Sequence, residues 1–258
     1  MSENNTENRL VETRDGSHTV YSSQFDQHYH NPNGAIAESR YVFFEQTGLP
    51  EALAAEESIT ILEVGFGTGL NLMVLLDYYL AADSQITINY YSVEGFPLKP
   101  ETARNFNYSQ YLDHPEAANS LTDLFDDLSE GLNHFKPHKN VSVHLFKGLF
   151  EDFDPGLIKA NYIFHDAFSP EANPELWTGE VFKKIHRLSA KDVLLSTYCA
   201  ASNVQGAMAW AGWKVAKARG ALGKREMILA ALDGNRLVGH KRINEEHYAR
   251  RYEEGDFG

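Results

Sequence analysis

A single cysteine, Cys199, excludes any intrachain disulfide and fits a reducing compartment. No apolar run reaches the roughly 18 residues needed to cross a bilayer, and residues 1–14 are polar, without the apolar centre of a signal peptide. A cytoplasmic protein without membrane association is expected. Basic residues are outnumbered: the formal net charge is −13, which excludes a generally basic protein that coats nucleic acid but leaves room for a local basic patch. The eleven histidines fall in no His-Glu-x-x-His spacing, and no Cys-x-x-Cys pair exists, so no metal site is expected. No internal repeat is visible.

What is present is a chain with 43% hydrophobic residues, enough for one large α/β domain with modest additions. Residues 1–8 read as disordered. Polar and apolar residues alternate around Asp15-Gly16, which predicts a hairpin over residues 11–21. Residues 22–34 read as a loop and 35–45 as a helix, completing N-terminal additions over 1–57. Strands are expected at 58–64, 85–93, 141–146, 161–164 and 192–196, with a terminal pair at 213–218 and 226–232. Helices are expected at 70–80, from about 101, at 175–188 and at 203–211. The acidic stretch 112–136 reads as a helical insertion. The charged tail, 233–258, reads as partly disordered or an exposed helix. Alternating strands and helices over 58–232 imply a mostly parallel, doubly wound, Rossmann-like α/β sheet, in which ligands sit beyond the carboxyl ends of the strands.

The densest signal is Ile61-Leu62-Glu63-Val64-Gly65-Phe66-Gly67-Thr68-Gly69, a strand that ends in three glycines at alternate positions before a helix. Glycines let the backbone turn sharply and let a ligand approach the main chain, and the free N–H groups of the helix start face that ligand. Glu94, ending the second strand, suits a ribose diol. Two features favour S-adenosyl-L-methionine (SAM) over a dinucleotide. Glu63 can meet an α-ammonium group and would repel a pyrophosphate. The third glycine comes one residue earlier than in the G-x-G-x-x-G dinucleotide pattern. A NAD-dependent oxidoreductase would also need a hydride-handling pair such as Tyr-x-x-x-Lys, and none follows a suitable strand.

A second segment, residues 164–177, places Asp166, Phe168, Asn173 and Trp177 in one loop stiffened by Pro170 and Pro174. Stacking on Phe168 or Trp177 would hold a planar base. Asp166 would strip the proton from an ammonium group, which has no lone pair until it does so. His165 points to the opposite face of its strand, Cys199 reads as a buried small residue, and Tyr198 lines either the pocket or the core.

These segments together resemble the MnmC-type tRNA 5-aminomethyluridine methyltransferases. The shared stretches are Asn33-Gly34 through Glu38-Ser39-Arg40-Tyr41-Val42-Phe43; Glu63 through Asn71; Ser92-Val93-Glu94 with Pro97-Leu98; Asp166-Ala167-Phe168-Ser169-Pro170 with Asn173-Pro174 and Trp177-Thr178; and Gly223-Lys224-Arg225-Glu226-Met227. The resemblance implies a class I methyltransferase acting on 5-aminomethyl(-2-thio)uridine at the tRNA wobble position. Its SAM site would comprise Glu63, Gly65, Phe66, Gly67, Thr68, Gly69, Asn71, Glu94 and Gly148. Asp166 would be the catalytic carboxylate, and Phe168, Pro170, Asn173, Trp177, Lys224 and Arg225 would meet the substrate. Phe25, Tyr29 and Arg40 would close over the cofactor. No second glycine-rich fingerprint follows, so the stand-alone form without the FAD-dependent domain is expected, as a monomer. A basic surface for RNA would draw on Lys183, Lys184, His186 and Arg187, on Arg219 beside Lys224 and Arg225, and on Lys214 and Lys217. A methyltransferase of a small amine or another RNA, or a non-catalytic SAM- or RNA-binding module, are the alternative readings.

Overall fold

The computed structural model describes residues 8–55 and 57–257. The disorder expected over residues 1–8 falls, for residues 1–7, outside the described residues. The chain opens with a three-stranded antiparallel sheet of β1 (Arg9–Glu12), β2 (His18–Ser22) and β3 (Gln27–His28). Helix α1 (Ala35–Ser39) runs into a π-helical turn (Arg40–Phe44), and α2 (Leu49–Ala55) leads to the main sheet. The sheet alternates with helices: β4 (Ser58–Val64), α3 (Leu70–Ala81), β5 (Thr87–Glu94), α4 (Pro100–Ala103), α5 (Asn119–Asp126), β6 (Gly131–His138) and β7 (Val141–Lys147). Then come β8 (Ala160–His165), α6 (Gly179–Leu188), β9 (Ser189–Thr197), α7 (Ser202–Trp210), β10 (Lys214–Arg219), β11 (Glu226–Ala231), β12 (Lys241–Arg242) and α8 (Glu245–Glu253).

The nine strands lie in the order β12-β10-β11-β9-β8-β4-β5-β7-β6. The five central strands, β9-β8-β4-β5-β7, are parallel, and the strands on either side of them are antiparallel. The order reverses at β4, so the crevice at its carboxyl end is where a ligand is expected. Alternation along β4 builds the two layers. Ile59 and Ile61 join the core under α1, α2, α3 and α5, while Leu62 and Val64 join the core under α6 and α7. Helix α3 buries Leu70, Leu72, Met73, Val74, Leu75 and Leu76; each such side chain contributes roughly 1.5–3 kcal/mol, so packing holds this helix more than propensity does.

The expectation of a helical 112–136 is corrected. Within 112–136 only Pro115–Ala118, a 3₁₀ turn, and α5 are helical, and residues 131–138 form β6, antiparallel to β7. Pro137 cannot donate to a ladder, and it sits at a register shift between Phe135 and His138 on an edge strand, where that loss is tolerated. The tail is ordered by contact: Tyr252 Oη accepts the Gly179 N–H at 2.8 Å, and a Cβ on Gly206 would lie 2.5 Å from the Phe257 ring. Among the described residues no helix is long and apolar enough to cross a membrane.

Candidate active site

The turn after β4 needs its glycines. Gly65, Gly67 and Gly69 have φ of +96°, +55° and +76°, where other residues are strained. A Cβ on Gly65 would lie 2.7 Å from the Asp166 carbonyl oxygen, so this glycine lets the ends of β4 and β8 touch. A Cβ on Gly67 would lie 3.0 Å from the Tyr29 ring. Both line a cavity of about 890 Å³, whereas Gly69 serves as the cap of α3. Phe66 and Thr68 turn inward: Phe66 packs on Phe125, and Thr68 Oγ1 lies 3.3 Å from Nε2 of His30, which burial keeps neutral with a pKa of about 4.

Glu94 closes the turn from the next strand. Its Oε2 accepts the Gly67 N–H at 2.7 Å and its Oε1 accepts the Phe96 N–H at 2.8 Å. Burial raises its pKa, and the two backbone donors oppose that rise. Each oxygen keeps a further lone pair, and the carboxylate lines the cavity.

Asp166 follows β8, with its N–H donating to the Val64 carbonyl at 2.9 Å. Its Oδ2 accepts Asn71 Nδ2 at 2.9 Å, and the same nitrogen donates to Glu63 Oε1 at 2.9 Å. Glu63 Oε2 in turn accepts Ser92 Oγ at 2.6 Å. One asparagine amide therefore bridges two carboxyls. Burial, then the charges of Glu63 and Glu38, push the Asp166 pKa well above the ordinary aspartate value; Asn71 and Lys224 pull against this. Burial raises Glu63 to about 7. Asp166 lines the cavity. Glu63, at 1% exposure, does not, because strand alternation aims it beneath α3 and Val64 toward the cavity.

The opposite wall is aromatic. Phe168 stacks on Phe25 at 4.6 Å between centroids and meets Tyr29 edge-on at 4.8 Å. Gln27 fixes the loop by accepting the Ser169 N–H at 3.2 Å and donating to Ser169 Oγ at 2.5 Å. Asn173 lines the cavity. Trp177 does not: it is buried, its Nε1 donates to the Phe168 carbonyl at 2.7 Å and its ring lies on His165 at 4.4 Å, so it supports the loop from behind. His165 is itself structural, its Nε2 lying 3.0 Å from the Leu176 carbonyl.

Of the residues expected at the site, Gly65, Gly67, Glu94, Asp166, Phe168, Asn173 and Lys224 share the cavity. Asn71, Gly148 and Pro170 are not among its lining residues, and Arg225 borders a second cavity of about 860 Å³ with Arg40, Arg219 and, again, Lys224. Arg40 is held by Asp77 at 2.7 Å, away from the first cavity. Tyr198 is a lining residue, its Oη donating to the Ala167 carbonyl at 2.8 Å. Glu38, Leu149, Phe150, Lys184 and Arg187 also line the cavity; Glu38 stood in one of the shared stretches without a role, and Lys184 and Arg187 were expected only on a basic surface for RNA. Lys184 Nζ donates to the Phe150 and Glu151 carbonyls at 2.7 and 3.0 Å, which anchors that wall. Among the described residues no group of three His, Cys, Asp or Glu side chains is placed to hold a metal.

Comparison with known proteins gives this cavity a context. The family described as S-adenosyl-L-methionine-dependent methyltransferase matches residues 117–233. The tRNA 5-methylaminomethyl-2-thiouridine biosynthesis bifunctional protein MnmC of Campylobacter hominis is 32% identical over 220 residues, covering 84% of this chain and 32% of that protein. The protein of the same name from Leptospira borgpetersenii is 31% identical over 215 residues, covering 81% and 33%. This chain spans about a third of the length of these curated relatives. Among solved structures, MNMC2 from Aquifex aeolicus superposes with a TM-score of 0.74 at 26% identity, over 97% of this chain and 77% of that one. The chain is homologous to the MnmC proteins, its fold is the Rossmann-like class I arrangement, and SAM is the cofactor of the domain.

Proposed function

From this homology, we propose that the chain is a SAM-dependent N-methyltransferase that converts 5-aminomethyl(-2-thio)uridine to its methylaminomethyl form at the tRNA wobble position. The observation that carries the reading is the placement of Asp166. Its carboxyl lines the cavity that the glycine turn and Glu94 also line, and burial raises its proton affinity.

The residues fit the cofactor. Gly65 and Gly67 leave backbone uncovered where a Cβ could not be placed, and Glu94 has lone pairs left for two ribose hydroxyls. At about 890 Å³ the cavity is at the upper end for a ligand site, which leaves room for a nucleotide beside the cofactor. When bound, SAM supplies an electrophilic methyl group on a sulfonium.

The chain's residues then have three tasks. Phe168, backed by Phe25 and Trp177, offers a ring face to the uracil. Asp166 accepts the proton that the substrate ammonium must lose before its nitrogen has a lone pair. A carboxylate of ordinary pKa would take that proton poorly, so the raised value suits the task. Asn71 holds the Asp166 carboxyl in one orientation through its bridge to Glu63. Positioning accounts for the rest of the rate, since a direct displacement needs no covalent enzyme intermediate. Despite the net charge of −13, Arg187 on the rim, with Arg219 and Arg225 beside the second cavity, gives the RNA a local cationic surface.

The test is incubation of the full chain with labelled SAM and bulk tRNA from cells lacking the gene, then nucleoside mass spectrometry. Labelled methylaminomethyluridine is the expected product. Demonstrated SAM binding without transfer, in tRNA shown to carry the aminomethyl nucleoside, would overturn the reading.

A further inference from the structure

The cavity holds a buried carboxyl beside Asp166 that the proposed mechanism leaves unused. Glu38, on α1, is 8% exposed and lines the cavity, close enough to Asp166 for its charge to act on that group. One of its oxygens, Oε2, accepts the Asn31 N–H at 2.8 Å. The other, Oε1, accepts Lys224 Nζ at 2.8 Å. The same Nζ lies 4.6 Å from the centroid of the Tyr198 ring, whose hydroxyl is tethered to the Ala167 carbonyl. A carboxylate and an aromatic face fixed beside Asp166 thus surround one primary ammonium, and it belongs to the protein itself.

Lys224 is poorly anchored by comparison. Its side chain is 41% exposed against 10% for Glu38. It projects from the turn between β10 and β11, where Leu222 and Gly223 both have positive φ and lie exposed. It also borders the second cavity, so a displaced side chain has room to go.

We propose that Glu38 and Tyr198 form an ammonium-receiving subsite, and that Lys224 Nζ fills it as a surrogate for the substrate's aminomethyl group until that group displaces it. Both groups are a –CH₂–NH₃⁺, so the exchange never leaves Glu38 buried without a cation, which would be costly. A uridine without the amine gains nothing from the exchange. Glu38 and Tyr198 therefore act in specificity, and Asp166 acts on the proton. The proposal rests on the amine substrate of the proposed function.

The experiment measures equilibrium binding of two anticodon stem–loop RNAs, one with 5-aminomethyluridine and one with uridine, to the full chain without SAM. Taking the ratio of the two affinities cancels contacts to phosphate. The wild type should prefer the aminomethyl RNA by about tenfold, the size of one desolvated cation–π or ion-pair contact. Glu38→Gln keeps an acceptor for Asn31 and should abolish the preference. Lys224→Met removes the internal competitor and should raise the preference several-fold. Tyr198→Phe keeps the ring and should retain the preference, whereas Tyr198→Leu should reduce it; circular dichroism melts check that each variant folds. A full preference in Glu38→Gln, or an unchanged or lower one in Lys224→Met, overturns the proposal. Methyl transfer by the wild type to the same aminomethyl RNA is scored separately. Transfer with an unaltered preference in Glu38→Gln sinks the subsite alone, and a Glu38-dependent preference without transfer sinks the proposed function alone.

Discussion

Replacing Glu63 by glutamine should make the protein markedly less sensitive to pH. Glu63 is 1% exposed, and burial lifts its pKa from 4.5 to about 7. A carboxyl whose folded pKa is raised contributes stability that is fully present below the unfolded value. That contribution is lost as pH rises toward the folded value, because the unfolded chain ionises while the folded one keeps its proton. The gap of about 2.5 on the pH scale, at about 1.4 kcal/mol each, amounts to about 3 kcal/mol lost between pH 4.5 and 7. The substituted glutamine is neutral throughout that range. Its oxygen can still accept from Asn71, and its amide can donate to Ser92 once that hydroxyl turns. Removing the Glu63 charge also eases the raised pKa of Asp166, so the coupling adds in the same direction. Urea unfolding followed by tryptophan fluorescence at pH 5 and pH 8 reads the effect. The fall in stability between those pH values should be smaller in Glu63→Gln by about 3 kcal/mol, with similar m-values. Parallel profiles for the two proteins would refute the reasoning.

Three further substitutions separate the parts of the site. Asp166→Asn keeps the shape and removes the proton acceptor, so single-turnover methyl transfer should slow by about 10²–10⁴-fold while calorimetric SAM affinity is nearly unchanged; normal turnover at neutral pH contradicts the role of Asp166. Glu94→Ala strips a charged acceptor from the cofactor side, and SAM should bind about ten- to a hundredfold more weakly. The same change frees the Gly67 and Phe96 N–H groups, so a lower melting temperature should accompany it. Gly65→Ala forces a Cβ to 2.7 Å from the Asp166 carbonyl at φ of +96°; it should destabilise by at least about 2 kcal/mol in denaturant melts and impair transfer, since the neighbouring Asp166 must shift.

The sequence pattern was most legible where one local rule dominates. The apolar run into alternating glycines marks β4 and its turn, with the boundaries at residues 58 and 64 as expected. The terminal strand pair also lies within one residue of its expected bounds, with an apolar run in β11 and a glycine-containing turn before it. β6 was hidden because it is an edge strand with a proline, embedded in an acidic stretch whose helical composition extends only as far as Asp126. The site was legible in part. Asp166, Glu94 and Phe168 meet at one cavity because strand ends converge there, which topology dictates. Side-chain direction was less accessible: Glu63 and Trp177 carry chemistry-bearing groups, yet one points under α3 and the other behind the loop. Glu38 and the wall formed by residues 25–30 come from N-terminal additions that fold over the crevice, and no periodicity announces such long-range contacts.

The most direct measurement is a single-turnover reaction of the full chain with SAM and an anticodon stem–loop whose only amine-bearing nucleoside is 5-aminomethyluridine, followed by fragmentation mass spectrometry. The account predicts the mass gain of one methyl group on the exocyclic nitrogen, lost in Asp166→Asn and absent from the stem–loop with plain uridine. A methyl on any other atom, or equal transfer to the plain RNA, would contradict it.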